Sequence, residues 1–131
     1  MVRVSIHCTF ENVVSSARPS LRPVCEALRR IITGLHRDVV EVTWARQRIA
    51  SFGIGPKKMS EHYAYIAVYT SHVNLGFYHG AGLRGRASML EGTGKKLRHL
   101  KLRDVPSTKD PAIAALLREA IADRRRHARE A

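Results

Sequence analysis

The run His62-Tyr63-Ala64-Tyr65-Ile66-Ala67-Val68-Tyr69, followed after a short break by Val73-Asn74-Leu75-Gly76-Phe77-Tyr78, decides the fold. In the first stretch Ala64, Ile66 and Val68 alternate with Tyr63, Tyr65, Ala67 and Tyr69; in the second, Val73, Leu75 and Phe77 alternate with Asn74, Gly76 and Tyr78. A period of two over five or more residues is the mark of a strand with one face buried, so these segments are expected at the centre of a sheet. Working outward, Val40, Val42 and Trp44 alternate with Val39, Glu41 and Thr43, and a second run covers 48–53, which predicts a hairpin. Residues 97–103 supply one more strand, and the alternation of Val2, Val4, Ile6, Cys8 and Phe10 predicts an extra N-terminal strand over 1–10.

Between the strands the period changes. A short helical piece is expected through Val13 and Val14, closed by Pro19. Leu21, Val24, Cys25, Leu28, Ile31, Ile32 and Leu35 then recur at helical spacing, with Ser20 placed as an N-cap, Pro23 in the first turn and Gly34 near the stop. Pro111, Ile113, Leu116, Leu117, Ala120 and Ile121 predict a last amphipathic helix ending in a basic tail at 124–131. Residues 53–59 and 80–94 read as glycine-rich loops, the second around a helical turn at 87–90. No internal repeat or linker divides the chain, so a single domain over 1–131 is expected. Helix, consecutive strands and helix predict an α+β fold: an antiparallel sheet of about five to six strands with both long helices on one face.

Composition bounds the chemistry. With 131 residues and 44% apolar side chains the chain can bury a core without disulfide or metal staples. Cys8 and Cys25 read as small buried hydrophobes. No secretory signal pattern or membrane-length apolar run is present in the sequence, and a cytoplasmic location is expected. Lysine and arginine number 23 against 11 acids, a formal charge of +12 that attracts anionic partners or serves solubility alone.

Strand parity puts the functional residues on one surface. If Ala64, Ile66, Val68, Leu75, Phe77, Leu100 and Leu102 face the helices, then Tyr63, Tyr65, Tyr69, Asn74, Tyr78, His99 and Lys101 share the opposite, open face. Phenol rings beside cations suit a small anionic or aromatic ligand, a protein segment or single-stranded nucleic acid. The candidate binding set is Trp44, Tyr63, Tyr65, Tyr78, His99 and Lys101, with Trp44 either a core anchor or a pocket wall. Lys57 and Lys58 in one loop, and Lys95 and Lys96 in Gly92-Thr93-Gly94-Lys95-Lys96, are candidate anion holders, although the glycine spacing is not that of a nucleotide-binding P-loop. Seven histidines show no paired metal-ligand spacing, and no nucleophile stands beside a base in a recognisable motif. A binding role without catalysis is expected, with no cofactor assigned. Arg124, Arg125, Arg126, His127 and Arg129 either complement the last helix's dipole or contact phosphates.

The stretch 39–103 resembles the YdhG-like family of bacterial domains. Its carriers are Val-Glu-Val-Thr-Trp at 40–44, Ser-Phe-Gly-Ile-Gly-Pro-Lys-Lys-Met at 51–59, Tyr-Ala-Tyr-Ile at 63–66, Val-Asn-Leu-Gly-Phe-Tyr-His-Gly at 73–80 and Leu-Glu-Gly-Thr-Gly-Lys-Lys-Leu-Arg-His at 90–99. The resemblance implies a frataxin-like α+β fold, and an iron-delivery role for iron–sulfur assembly comes with it as an alternative. Frataxin-type iron binding is associated with an acidic first helix, whereas residues 20–37 hold Glu26 as their only acid beside Arg22, Arg29, Arg30 and Arg37. The fold is therefore carried over, and the iron is not.

Overall fold

The structure, a computed structural model, describes residues 2–3, 8–85 and 87–130. It is an α+β arrangement of six strands: β1 (Val2–Arg3), β2 (Val40–Trp44), β3 (Ile49–Gly53), β4 (His62–Val68), β5 (Val73–Phe77) and β6 (Arg98–Leu102). The helices are α1 (Phe10–Val14), α2 (Arg22–Leu35), α3 (Lys58–Glu61), α4 (Val105–Thr108) and α5 (Pro111–Glu130). Spatial order follows chain order; β2 to β6 pair antiparallel with their neighbours, and β1 joins the edge parallel to β2. Chain-adjacent antiparallel strands need only short turns, which is why the sheet is a plain meander.

α2 and α5 lie side by side against the central strands. Val24, Cys25, Leu28 and Ile32 from α2 and Ile113, Leu116, Leu117 and Ile121 from α5 are buried with Ile66, Leu75 and Phe77 of the sheet. Each such side chain contributes about 1.5–3 kcal/mol by leaving water. Burial pushes the Cys25 thiol up to about 11, so it is an apolar filler and no nucleophile. On the same side, Glu41 of β2 is 1% exposed and is clamped by Arg29 of α2 through two bonds, Nε to Oε2 at 2.7 Å and Nη2 to Oε1 at 3.0 Å. Removing one partner of such a buried pair costs about 3–5 kcal/mol. This pair fixes how α2 sits on the sheet.

Several local expectations are corrected. The predicted strand over 1–10 extends only over Val2–Arg3 among the described residues, with 4–7 outside them. Phe10 instead opens α1, because Thr9 and Asn12 form a reciprocal capping box that satisfies the first N–H groups. The first helix of the chain is thus short, five residues, and the longer α2 comes second. Ser20 lies inside a 3₁₀ turn over Pro19–Leu21 and does not cap α2, whose N-cap is Leu21. Gly34 sits within α2, which runs on to Leu35 and ends at His36. α4 was not expected from periodicity; Asp104 caps it by accepting from the Ser107 N–H at 2.8 Å. The basic tail continues α5, and Arg124 is buried, its Nη1 donating to the Ser60 carbonyl at 3.1 Å.

Candidate binding groove on the open sheet face

The face turned away from α2 and α5 is set by register. β3 presents Ile49 and Ser51, paired with Ala67 and Tyr65 of β4, and β2 presents Val42 and Trp44, paired with Ser51 and Ile49. Alternation carries the same face through Asn74 and Gly76 of β5 to Lys101 and His99 of β6. Most of β4 obeys this parity, and one end does not. Between Phe52 and Gly53 the register shifts: Phe52 pairs with Ala64 while Gly53 pairs with His62, leaving Tyr63 as an extra residue. An inserted residue reverses the side on which everything before it points.

Tyr63 consequently joins the core at 1% exposure, its hydroxyl 3.0 Å from His36 Nδ1 at the end of α2. Burial holds its phenol far above the ordinary range. The expectation that all four tyrosines share the open face is therefore corrected to three, Tyr65, Tyr69 and Tyr78. His62 takes the vacated side, beside Trp44 at 6.5 Å and Tyr78 at 6.1 Å between ring centroids.

The centre of the face is an aromatic pair. Tyr65 and Tyr78 lie 5.0 Å apart at 53°, a tilted contact favoured by the ring quadrupoles. The Tyr65 ring occupies the space above Gly76, where a Cβ would stand 1.9 Å from the ring's Cζ. Any side chain at 76 would evict the ring, which is the physical reason for glycine at that position. Below the pair runs a buried polar chain: Ser51 Oγ is 2.9 Å from Tyr78 Oη and 2.6 Å from His62 Nδ1. Burial lowers the His62 pKa, so the ring is neutral, and burial pushes Tyr78 up to about 12. Ser51 is wholly buried, so this chain fixes the Tyr78 ring and presents no nucleophile at the surface.

Beside the aromatic pair is a cavity of about 230 Å³ lined by Ile49, Ala67, Tyr65 and Tyr78 below and by Lys58, Met59, Tyr69 and Leu97 at its rim. Met59, Tyr69 and Leu97, at 43%, 47% and 44%, are the exposed large hydrophobic side chains among the described residues, and all three border this one cavity. Met59 is held there by its backbone, whose carbonyl accepts from His79 Nε2 at 2.6 Å. Lys58 contributes the charge, its Nζ lying 5.3 Å from the centre of the half-buried Trp44 ring. Both lysine segments thus reach the groove, one through Lys58 and Met59, which open α3 where a loop over 53–59 was expected, and the other through Leu97.

Of the sequence-predicted residues, Trp44, Tyr65, Tyr78 and Lys58 come together here. His99 and Lys101 share the face further along β6, with Lys101 Nζ 3.9 Å from a Glu91 carboxylate oxygen. Lys57, Lys95 and Lys96 are exposed and do not line the cavity, and Tyr63 is on the other side of the sheet. Sequence reading missed His62, Ser51, Met59 and Leu97. The available signal was Gly53, since a glycine inside a strand pattern points to a bulge or a close backbone approach; a Cβ there would lie 2.5 Å from His62 Cδ2.

Among the described residues no three His, Cys, Asp or Glu side chains are grouped to hold a metal ion, and no helix is long and apolar enough to cross a membrane. Comparison with protein-family models, curated proteins and solved structures gave no match to this chain.

Proposed function

We propose that this is a cytoplasmic, non-enzymatic binding domain of YdhG-like, frataxin-like type, whose open-face groove receives a small planar or apolar anion. One observation carries this reading: every exposed large hydrophobic side chain among the described residues borders the same cavity, over a floor of two tyrosines. Exposed apolar residues are ordinarily scattered singly, and their convergence on a concavity marks a contact surface. The volume, about 230 Å³, is smaller than a typical drug-sized pocket and fits one ring system or a branched alkyl group. Lys58 at the rim supplies the complement for a carboxylate or phosphate, and no acidic side chain lines the groove.

The family resemblance adds the ordered motif series from residue 39 to 103, two segments of which, 51–59 and 90–99, supply Lys58, Met59 and Leu97. Iron delivery draws no support from the charge pattern, because α2 carries Glu26 as its only acid.

The test is thermal-shift and calorimetric titration with aryl carboxylates such as benzoate, naphthoate and indole carboxylate. Stabilisation of the wild type, lost in Lys58→Glu and in Tyr65→Ala while both variants remain folded, is the expected result. Equal stabilisation of all three proteins would place the ligand elsewhere and remove the groove from consideration.

A further inference from the structure

Resting on the reading of the open face as a ligand site, we propose that its larger occupant is single-stranded nucleic acid, with one base seated in the groove and the next laid on the Tyr69–His72 pair. The two stations are adjacent because Tyr69 belongs to both. It lines the groove, and its ring stacks on His72 with centroids 4.8 Å apart and an interplanar angle of 9°. Tyr69 is 47% exposed, so the stacked pair lies at the surface, where a base can reach it. Base–aromatic stacking accepts any base, since each has a π-face, and it requires bases that are not already stacked in a duplex.

Charge is distributed to match a phosphate backbone running past these stations. Lys58 stands at the groove rim. Burial, and after it the nearby Lys101, Arg103 and His99, lowers the pKa of His72, and Lys101 lies on the open face of β6 opposite Asn74. Within β2 to β6 no position turned to the open face carries a carboxylate, since Glu41 points to α2; Glu91, bridged to His99 at the edge of β6, brings a carboxylate oxygen to 3.9 Å from Lys101 Nζ. Aromatic stations flanked by cations, with Glu91 at the far edge as the acid beside Lys101, are what a flexible single strand needs and what a rigid duplex cannot exploit.

Fluorescence anisotropy with labelled U and dT oligomers of about ten nucleotides, titrated against the intact chain at several salt concentrations, tests this. Lys58, Lys101 and Arg103 on phosphates give about three contacts and a slope of log affinity on log salt near −2. Tyr69→Ala is expected to weaken binding about five- to a hundredfold with an unchanged salt slope, because it removes stacking and no charge. Lys101→Gln is expected to flatten the slope by about 0.7. The U and dT arms separate RNA from DNA as the source of the strand. Binding by Tyr69→Ala as tight as the wild type, or duplex bound as tightly as the single strand, overturns the proposal in favour of general cationic attraction. Stabilisation by aryl carboxylates without oligomer binding removes this inference alone; loss of both removes the groove reading as well.

Discussion

The two faces of the sheet are built from the same alternating strands and have opposite designs. The face under α2 and α5 takes Ile66, Leu75, Phe77 and Leu100 into a continuous apolar core, where polar intruders such as Glu41 and Tyr63 are tied by Arg29 and His36. The open face has no long helix across it among the described residues, yet Ser51, His62, Asn74 and Tyr78 on it are as buried as core residues. The Tyr65 ring lies over Gly76, and Lys58 and Met59 of α3 and Leu97 border the groove beside it. The covered face spends its side chains on stability. The open one holds apolar side chains at its rim where they add little stability, and that is what distinguishes a site from a surface.

The largest effect that could break this contrast is Phe77→Ala, which should cost about 3–5 kcal/mol in denaturant unfolding because it empties a fully enclosed position. A loss below about 1 kcal/mol would mean that the covered face is not the stabilising one. Next comes Gly76→Ala on the opposite side. The added carbon displaces the Tyr65 ring, and overpacking of this kind costs about 1–3 kcal/mol. Aryl carboxylate binding should disappear with it; retained binding would show that the ring position is irrelevant.

A smaller effect is expected from acid, because burial depresses both His36 behind the sheet and His62 in front of it below 6.5. The folded state then holds fewer protons than the unfolded chain, so stability rises with pH through that window. It is complete above pH 6.5 and is lost as pH falls through the depressed folded values. Tm measured from about pH 8 to about pH 5 should decline less steeply in His62→Gln than in the wild type; parallel curves would assign the acid sensitivity to His36 and the remaining histidines. The smallest change in stability, within about 0.5 kcal/mol, is expected for Leu97→Ser, since the residue is exposed. The same variant should nonetheless weaken ligand stabilisation, and a Leu97→Ser protein that binds normally would separate the rim from the site.

What could be read from the sequence follows the same division. The central strands, the β2–β3 hairpin and the two longer helices were legible because their burial is periodic, and periodic burial leaves a periodic sequence. The position of Tyr63 was not, because alternation assumes a constant residue count, and the bulge opposite Gly53 breaks that count once. α4 was missed because a four-residue helix has no period, although Asp104 as cap and Pro106 in the first turn announced it. The groove was half legible. Tyr65 and Tyr78 follow from parity and Trp44 stood as either core anchor or pocket wall, whereas Met59 arrives from the four-residue α3 and Leu97 from a loop, neither of which any local pattern returns to the sheet.

The irregularity at Tyr63 makes the chemistry beneath the groove a matter of arithmetic. Inserting a single residue into β3 between Phe52 and Gly53, opposite that point, would turn the imidazole inward toward α2 and bring a fourth phenol outward, with every neighbouring amino acid unchanged. Homologous chains should accordingly be aligned by counting from Gly53, since a one-residue gap placed there exchanges one functional group for another.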